Sequence, residues 1–171
     1  DLGPAVNAAR AVAFQVSSAV NGFVSNFQLA LNPQITKRYA QGEVKSMTKL
    51  MRIGSKFSFL LLAIIVIPVI VRADYVLSIW LVEVPENTTV FLQLILLMAL
   101  INSMYGPIST AVLATGRIKT YQIVISIIMC MDVPLSYLAL KLGMPAASVF
   151  MIGIISAFIA LMVRLALLNK M

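Results

Sequence analysis

Residues 4–42 read PAVNAARAVAFQVSSAVNGFVSNFQLALNPQITKRYAQG. The stretch is too apolar for a surface helix of a soluble protein and too polar for a helix surrounded by lipid. Stepping by three and four residues selects Asn7, Arg10, Phe14, Ser17, Asn21, Ser25, Gln28 and Asn32, which share one helix face. All but Phe14 can hydrogen-bond, while the other faces carry Ala, Val, Phe and Leu. An unmatched polar group is costly in hydrocarbon, so this stripe must meet other helices or a wet cavity. Two readings follow: polar glue between helices, or the wall of a path for hydrophilic cargo. The length of the stripe and its arginine favour the path.

Composition sets the frame for that stretch. The chain has 171 residues, 61% of them hydrophobic, with a mean hydropathy of +0.99. Soluble domains hold about 45–50% apolar residues, so this is an all-α, polytopic membrane helix bundle. Histidine is absent and Cys130 is the one cysteine. An internal disulfide is therefore ruled out, and the Cys/His metal sites lack their ligands. No metal and no cofactor is expected. The chain begins with Asp1 and shows no signal-peptide pattern, and it reads as a piece of a longer protein.

Five spans are predicted, near residues 5–39, 43–73, 88–115, 118–142 and 145–169, forming one transmembrane unit over 1–171. The first, at ~1.5 Å per residue, is longer than the ~30 Å hydrocarbon layer, and Pro33 predicts a bend in it. That bend is either passive or a hinge. Lys45, Lys49, Arg52 and Lys56 form a basic face where the second span meets the headgroups. A short interfacial helix near Tyr75 and Trp80 should follow, stopped by Pro85. The third span carries Asn102, Tyr105 and Ser109 at helical spacing around Pro107. The fourth carries Asp132, followed by Pro134. The fifth is almost uniformly apolar and reads as the most lipid-exposed, with Arg164 near its end.

The net charge of +7 reflects topology rather than nucleic-acid binding. Ten of the 13 Lys and Arg fall on one side: the connections after the first and third spans and the C-terminal end. The positive-inside rule makes that side cytoplasmic, with the N-terminus outside and the C-terminus inside.

The catalytic inventory is thin. No nucleotide-binding glycine loop or carboxylate cluster occurs, and no enzyme activity is expected. Asp132 is the candidate for ion coupling; its alternative is a neutral carboxyl bonded to a neighbouring helix. Arg10 is a candidate grip for an anion; its alternative is a side chain reaching to the outer headgroups. Arg164, on the apolar last helix, is expected to be dispensable for transport.

The segments NAARAVAFQVSSAVNGFVSNFQLALNPQITKRYAQG, SKFSF, GPISTAVLATGRIKTYQI and VPLSYLALKLG resemble those of bacterial polysaccharide-biosynthesis flippases. These are O-antigen-type transporters of the multidrug/oligosaccharidyl-lipid/polysaccharide superfamily. The resemblance covers essentially the whole chain. It implies two six-helix lobes in the intact transporter, this chain being the second lobe without its first helix. It further implies an inner-membrane protein that moves an undecaprenyl-type lipid-linked oligosaccharide outward by alternating access for O-antigen or capsule. The partners would be that lipid, the bilayer and the missing N-terminal helices. The substrate path would comprise Asn7, Arg10, Ser17, Asn21, Ser25, Gln28, Asn32, Asn102, Tyr105 and Ser109, with Pro33, Pro107 and Pro134 as hinges or kinks. Two other functions compete: a multidrug or cation exporter of the related branch, and a non-transporting membrane scaffold.

Overall fold

The computed structural model describes residues 4–80, 84, 87–116 and 118–169. Among them are seven helices and no strand: α1 (Pro4–Ala40), α2 (Val44–Val71), α3 (Ala73–Trp80), α4 (Thr88–Ser103), α5 (Tyr105–Ala114), α6 (Ile118–Lys141) and α7 (Ala147–Asn169). The all-α bundle expected from composition is observed. Pro85, expected to stop the short helix, and Arg117 and Lys170, two of the ten basic residues on the side read as cytoplasmic, lie outside the described residues.

Among the described residues, four helical stretches are long and apolar enough to cross a membrane: Val44–Val71, Thr88–Ala114, Ile118–Lys141 and Ala147–Leu167. The first predicted span, α1, is not among them, because its polar residues dilute its hydropathy. It is nevertheless 37 residues long, about 55 Å at ~1.5 Å per residue.

The chain reverses where the sequence allows a left-handed residue. Gly42 has φ +76°, and its N–H bonds Tyr39 O while Glu43 N–H bonds Arg38 O. This paired closure satisfies the last carbonyls of α1 and needs a residue without a Cβ at that φ. Gly143 (φ +78°) repeats it after α6, with Met144 N–H on Ala139 O, and Pro145 prevents continuation. Arg38 Nη1 also donates to Glu43 Oε2 at 2.7 Å across the first reversal.

Helix contacts define the layers. α1 packs on α2, α4 and α5, and α2 also contacts α4 and α5. α7 lies against α4 and α6, whereas α6 touches little besides α7. The inner face of α1 is Ala9, Ala13, Ser17, Val20, Val24 and Ile35, spaced by three, four or their sums, all buried. Most of these join Leu62, Val66, Phe91, Leu92 and Ile95 in the main cluster. A second cluster, Ile35, Met47, Met51, Ile108, Ala111 and Leu161, closes the other end of α1. Gly54 lets α2 approach there, since a Cβ would collide with Leu31 Cδ2. Gly153 likewise admits Met98 between α7 and α4, its notional Cβ lying 3.3 Å from the Met98 sulfur.

One expectation needs correction. The most exposed span is α6 rather than the last: 11% of its apolar window is buried, against 28% for α7. The reason is position, since α7 is sandwiched between α4 and α6 while α6 is the outer helix. The third span runs Thr88–Ala114, close to its expected bounds, with only a local irregularity at Met104, whose backbone stays helical at φ −76°, ψ −26°. α1 stays helical through Pro33, which has no N–H to bond Leu29 O. The short helix after α2 is present: Leu77 is its fully buried anchor, Tyr75 is exposed, and Thr89 Oγ1 ties it to α4 by donating to Asp74 Oδ1 at 2.7 Å.

Candidate functional site

A proline inside a helix leaves the carbonyl four residues before it without a donor. For Pro107 that carbonyl belongs to Ser103, at the boundary between α4 and α5. The missing donor comes from α1: Gln28 Nε2 donates to Ser103 O at 2.8 Å. The same nitrogen donates to Ser58 Oγ of α2 at 3.1 Å. One side-chain amide thus joins three helices. Gly106 makes room for it, because a Cβ there would collide with Gln28 Oε1. Ser103 Oγ turns inward and donates to Leu100 O at 2.7 Å.

Around this junction lies a cleft of about 320 Å³, walled by Asn21, Ser25 and Gln28 from α1 and by Asn102, Ser103 and Tyr105 from the α4–α5 boundary. A second recess of about 220 Å³ continues along α1 past Ser17, Ser18 and Asn21, with Met98 and Asn102 opposite. No residue lining either one is charged. Amides and hydroxyls can both donate and accept, so the walls suit a neutral hydroxylated solute and supply no acid or base.

The two polar stripes read from the sequence therefore meet. Asn21, Ser25 and Gln28 face Asn102 and Tyr105 across one cleft. Other stripe residues go elsewhere. Ser17 is buried and accepts from Asn21 Nδ2 at 3.1 Å, while the same amide reaches Ser17 O at 2.8 Å. Asn7 and Arg10 are exposed, and the Arg10 guanidinium carbon sits 5.3 Å from the Phe14 ring centroid. Asn32 is half-buried, its Oδ1 enclosed without a partner among the described residues. Ser109 is half-buried beyond the cleft wall. Asp132 lies on α6, away from the cleft, and its Oδ1 is also enclosed without a partner among the described residues. Of the three hinge candidates, Pro107 is buried at the α4–α5 boundary, while Pro33 and Pro134 are exposed within α1 and α6.

Sequence reasoning missed the residue that most distinguishes the bundle interior. Arg164 is only 4% exposed. Its Nε–H donates to Tyr121 Oη at 3.1 Å, and its guanidinium carbon stacks 4.3 Å from the centroid of the Tyr105 ring. The guanidinium does not face lipid as expected, because α7 is covered by α4 and α6. The sequence did hold a signal: an arginine in an otherwise apolar span needs a partner. Ser58 and Gly106 were also missed; the carbonyl freed by Pro107 was the clue to both.

The architecture and cleft define a multi-pass membrane helix bundle with a polar recess between its helices. A family model, MatE, matches residues 1–138, and the chain belongs to that family. Its members are transporters rather than enzymes, exporters of the multidrug/oligosaccharidyl-lipid/polysaccharide superfamily. No curated protein and no solved structure matches the chain.

Proposed function

We propose that the chain forms part of one lobe of a flippase that exports a lipid-linked oligosaccharide of the undecaprenyl type across a bacterial inner membrane. The observation that carries this reading is the cleft: its polar walls are amides and hydroxyls with no carboxylate. A sugar is held by such groups, whereas a lipophilic cation calls for acids and aromatic faces. The exposed side of α1 supports it. Asn7, Arg10, Gln15, Ser18, Ser25 and Asn26 are all exposed there, and hydrocarbon is a poor environment for them. In this reading α1 crosses the membrane as a fifth span, with that side turned to a wet cavity shared with the other lobe. The N-terminus lies outside and the C-terminus in the cytoplasm, following the basic residues.

Within this scheme Ser25, Asn102 and Tyr105 contact cargo, Asn7 and Arg10 extend the path along α1, and Gln28 serves mainly as the three-helix junction. Asp132, away from the cleft, serves ion coupling if it serves transport at all. The test is complementation: the full-length transporter should restore surface polysaccharide in a strain deleted for its lipid-linked oligosaccharide flippase. Normal membrane insertion without restoration, together with raised tolerance to lipophilic cations, would support the multidrug reading instead.

A further inference from the structure

Arg164 is the only charged side chain among the buried described residues. A guanidinium withdrawn from water is costly unless something compensates it. The one ion pair among the described residues, Arg38 with Glu43, lies elsewhere. The partners of Arg164 are a tyrosine hydroxyl and a tyrosine face, and neither carries a full negative charge. Its direction is also informative. Cα–Cβ bonds tilt toward a helix's N-terminus, and Arg164 stands near the C-terminal end of α7. The side chain thus leans back toward the middle of the bundle and reaches Tyr105, rather than outward to the nearer headgroups.

Tyr105 has the guanidinium against its ring and also forms part of the cleft wall. It lies two residues before Pro107, in the turn where the Ser103 carbonyl lacks its helical donor and accepts from Gln28 instead. A side chain in such a loosened turn can be re-aimed by a small backbone rotation. Tyr121 engages Nε, leaving the two terminal nitrogens without an acceptor among the described residues. Those nitrogens can grip a phosphate through paired hydrogen bonds.

We propose that Tyr105 is a lid between the cleft and Arg164, and that Arg164, once uncovered, binds a phosphate group of the cargo. The identity of the cargo rests on the flippase reading; the anion site does not. Covered, the cleft wall is neutral and suits sugar; uncovered, it offers one buried cation to the pyrophosphate that links sugar to lipid.

The test titrates inorganic pyrophosphate into the full-length transporter held in phosphatidylcholine nanodiscs, read by calorimetry. Wild type should bind. Arg164→Gln should weaken binding at least tenfold, and Arg164→Lys should recover part of it. Tyr105→Ala, which removes the lid, should tighten binding; a purely structural Tyr105 would leave it unchanged or weaker, and either result overturns the lid. Arg52→Gln, an exposed charge on α2, should have no effect. Equal binding by wild type and Arg164→Gln, or no binding by wild type, overturns the anion site. Glycerophosphoglycerol, the soluble headgroup of an anionic lipid, should not compete at equal concentration; competition would assign the site to the bilayer and overturn the cargo assignment. This assay reads binding without transport or cargo, so its failure and a failed complementation are separate results.

Discussion

α1 and α7 invert what their compositions suggest. α1 is the most polar long helix, yet it is the one against which α2, α4 and α5 all pack. α7 is the most apolar, yet it holds the buried guanidinium. In α1 the polar groups divide by face: Ser17 is buried and Gln28 bonds α2 and α4, while Asn7, Arg10 and Ser25 stay exposed. In α7 a charged group is enclosed, together with Ser148 and Ser156, because neighbours lie on two sides. Polarity summed along a helix therefore predicts its surroundings poorly. What matters is which neighbour each turn meets.

The contrast is broken most directly at Arg164. Tyr105→Leu removes the stacked ring, worth roughly 2 kcal/mol in a desolvated site. Tyr121→Phe removes the acceptor for Nε–H, worth at least about 1 kcal/mol. The double variant should lose about 3 kcal/mol in reversible unfolding from mixed micelles. A loss near zero would mean that Arg164 is held by something other than these two rings, and α7 would no longer contrast with α1.

A smaller effect is expected at the three-helix junction. Gln28→Ala leaves the Ser103 carbonyl without its donor, a loss of about 1–3 kcal/mol for an enclosed group. Gly106→Ala should cost about as much, because its new Cβ would displace the Gln28 amide. The two should be strongly non-additive, since they break the same contact. Full additivity would show that Gln28 and Gly106 act independently and that the freed carbonyl finds another donor.

The same junction shows what could be read beforehand. The helices, their approximate ends and the glycine reversals at Gly42 and Gly143 follow from hydropathy and turn chemistry, which are local. The meeting of Asn21, Ser25 and Gln28 with Asn102 and Tyr105 was half legible: each stripe was periodic, but nothing local says that two stripes face each other. Which polar residues would be spent on helix contacts was not legible. Gln28 and Ser25 belong to one stripe, and only the position of the α4–α5 boundary separates their roles. Arg164 was misread for the same reason, because the covering of α7 by α4 and α6 is a property of the tertiary arrangement.

Accessibility sharpens the comparison within α1 without depending on energy. A cysteine replacing Ser25 should react readily with a water-soluble thiol reagent in the intact transporter. One replacing Ser17, which is 6% exposed, should react at least tenfold more slowly, although both lie on the stripe. Fast labelling at Ser17 would show that the wet path extends to the inner face of α1, and the division of its polar residues would disappear.

The smallest expected effect on stability is at Arg10. Its contact is a ring of Phe14 that is itself 42% exposed. Such a pair at an open site contributes about 0.5–1 kcal/mol, so Arg10→Gln should shift unfolding by no more than that. Transport is a different measurement. If the exposed side of α1 faces a cavity that carries a pyrophosphate, Arg10 is a cation along the way, and its loss should sharply reduce export at normal membrane insertion. Arg10→Lys keeps the charge but not the paired hydrogen bonds and should retain part of the activity. A small stability change with a large transport loss is thus the signature of a path residue. A stability loss equal to that of the Tyr105/Tyr121 double variant would mean that Arg10 is enclosed in the intact protein, and the two helices would then use their arginines alike. Undiminished export would return Arg10 to the role of a headgroup anchor.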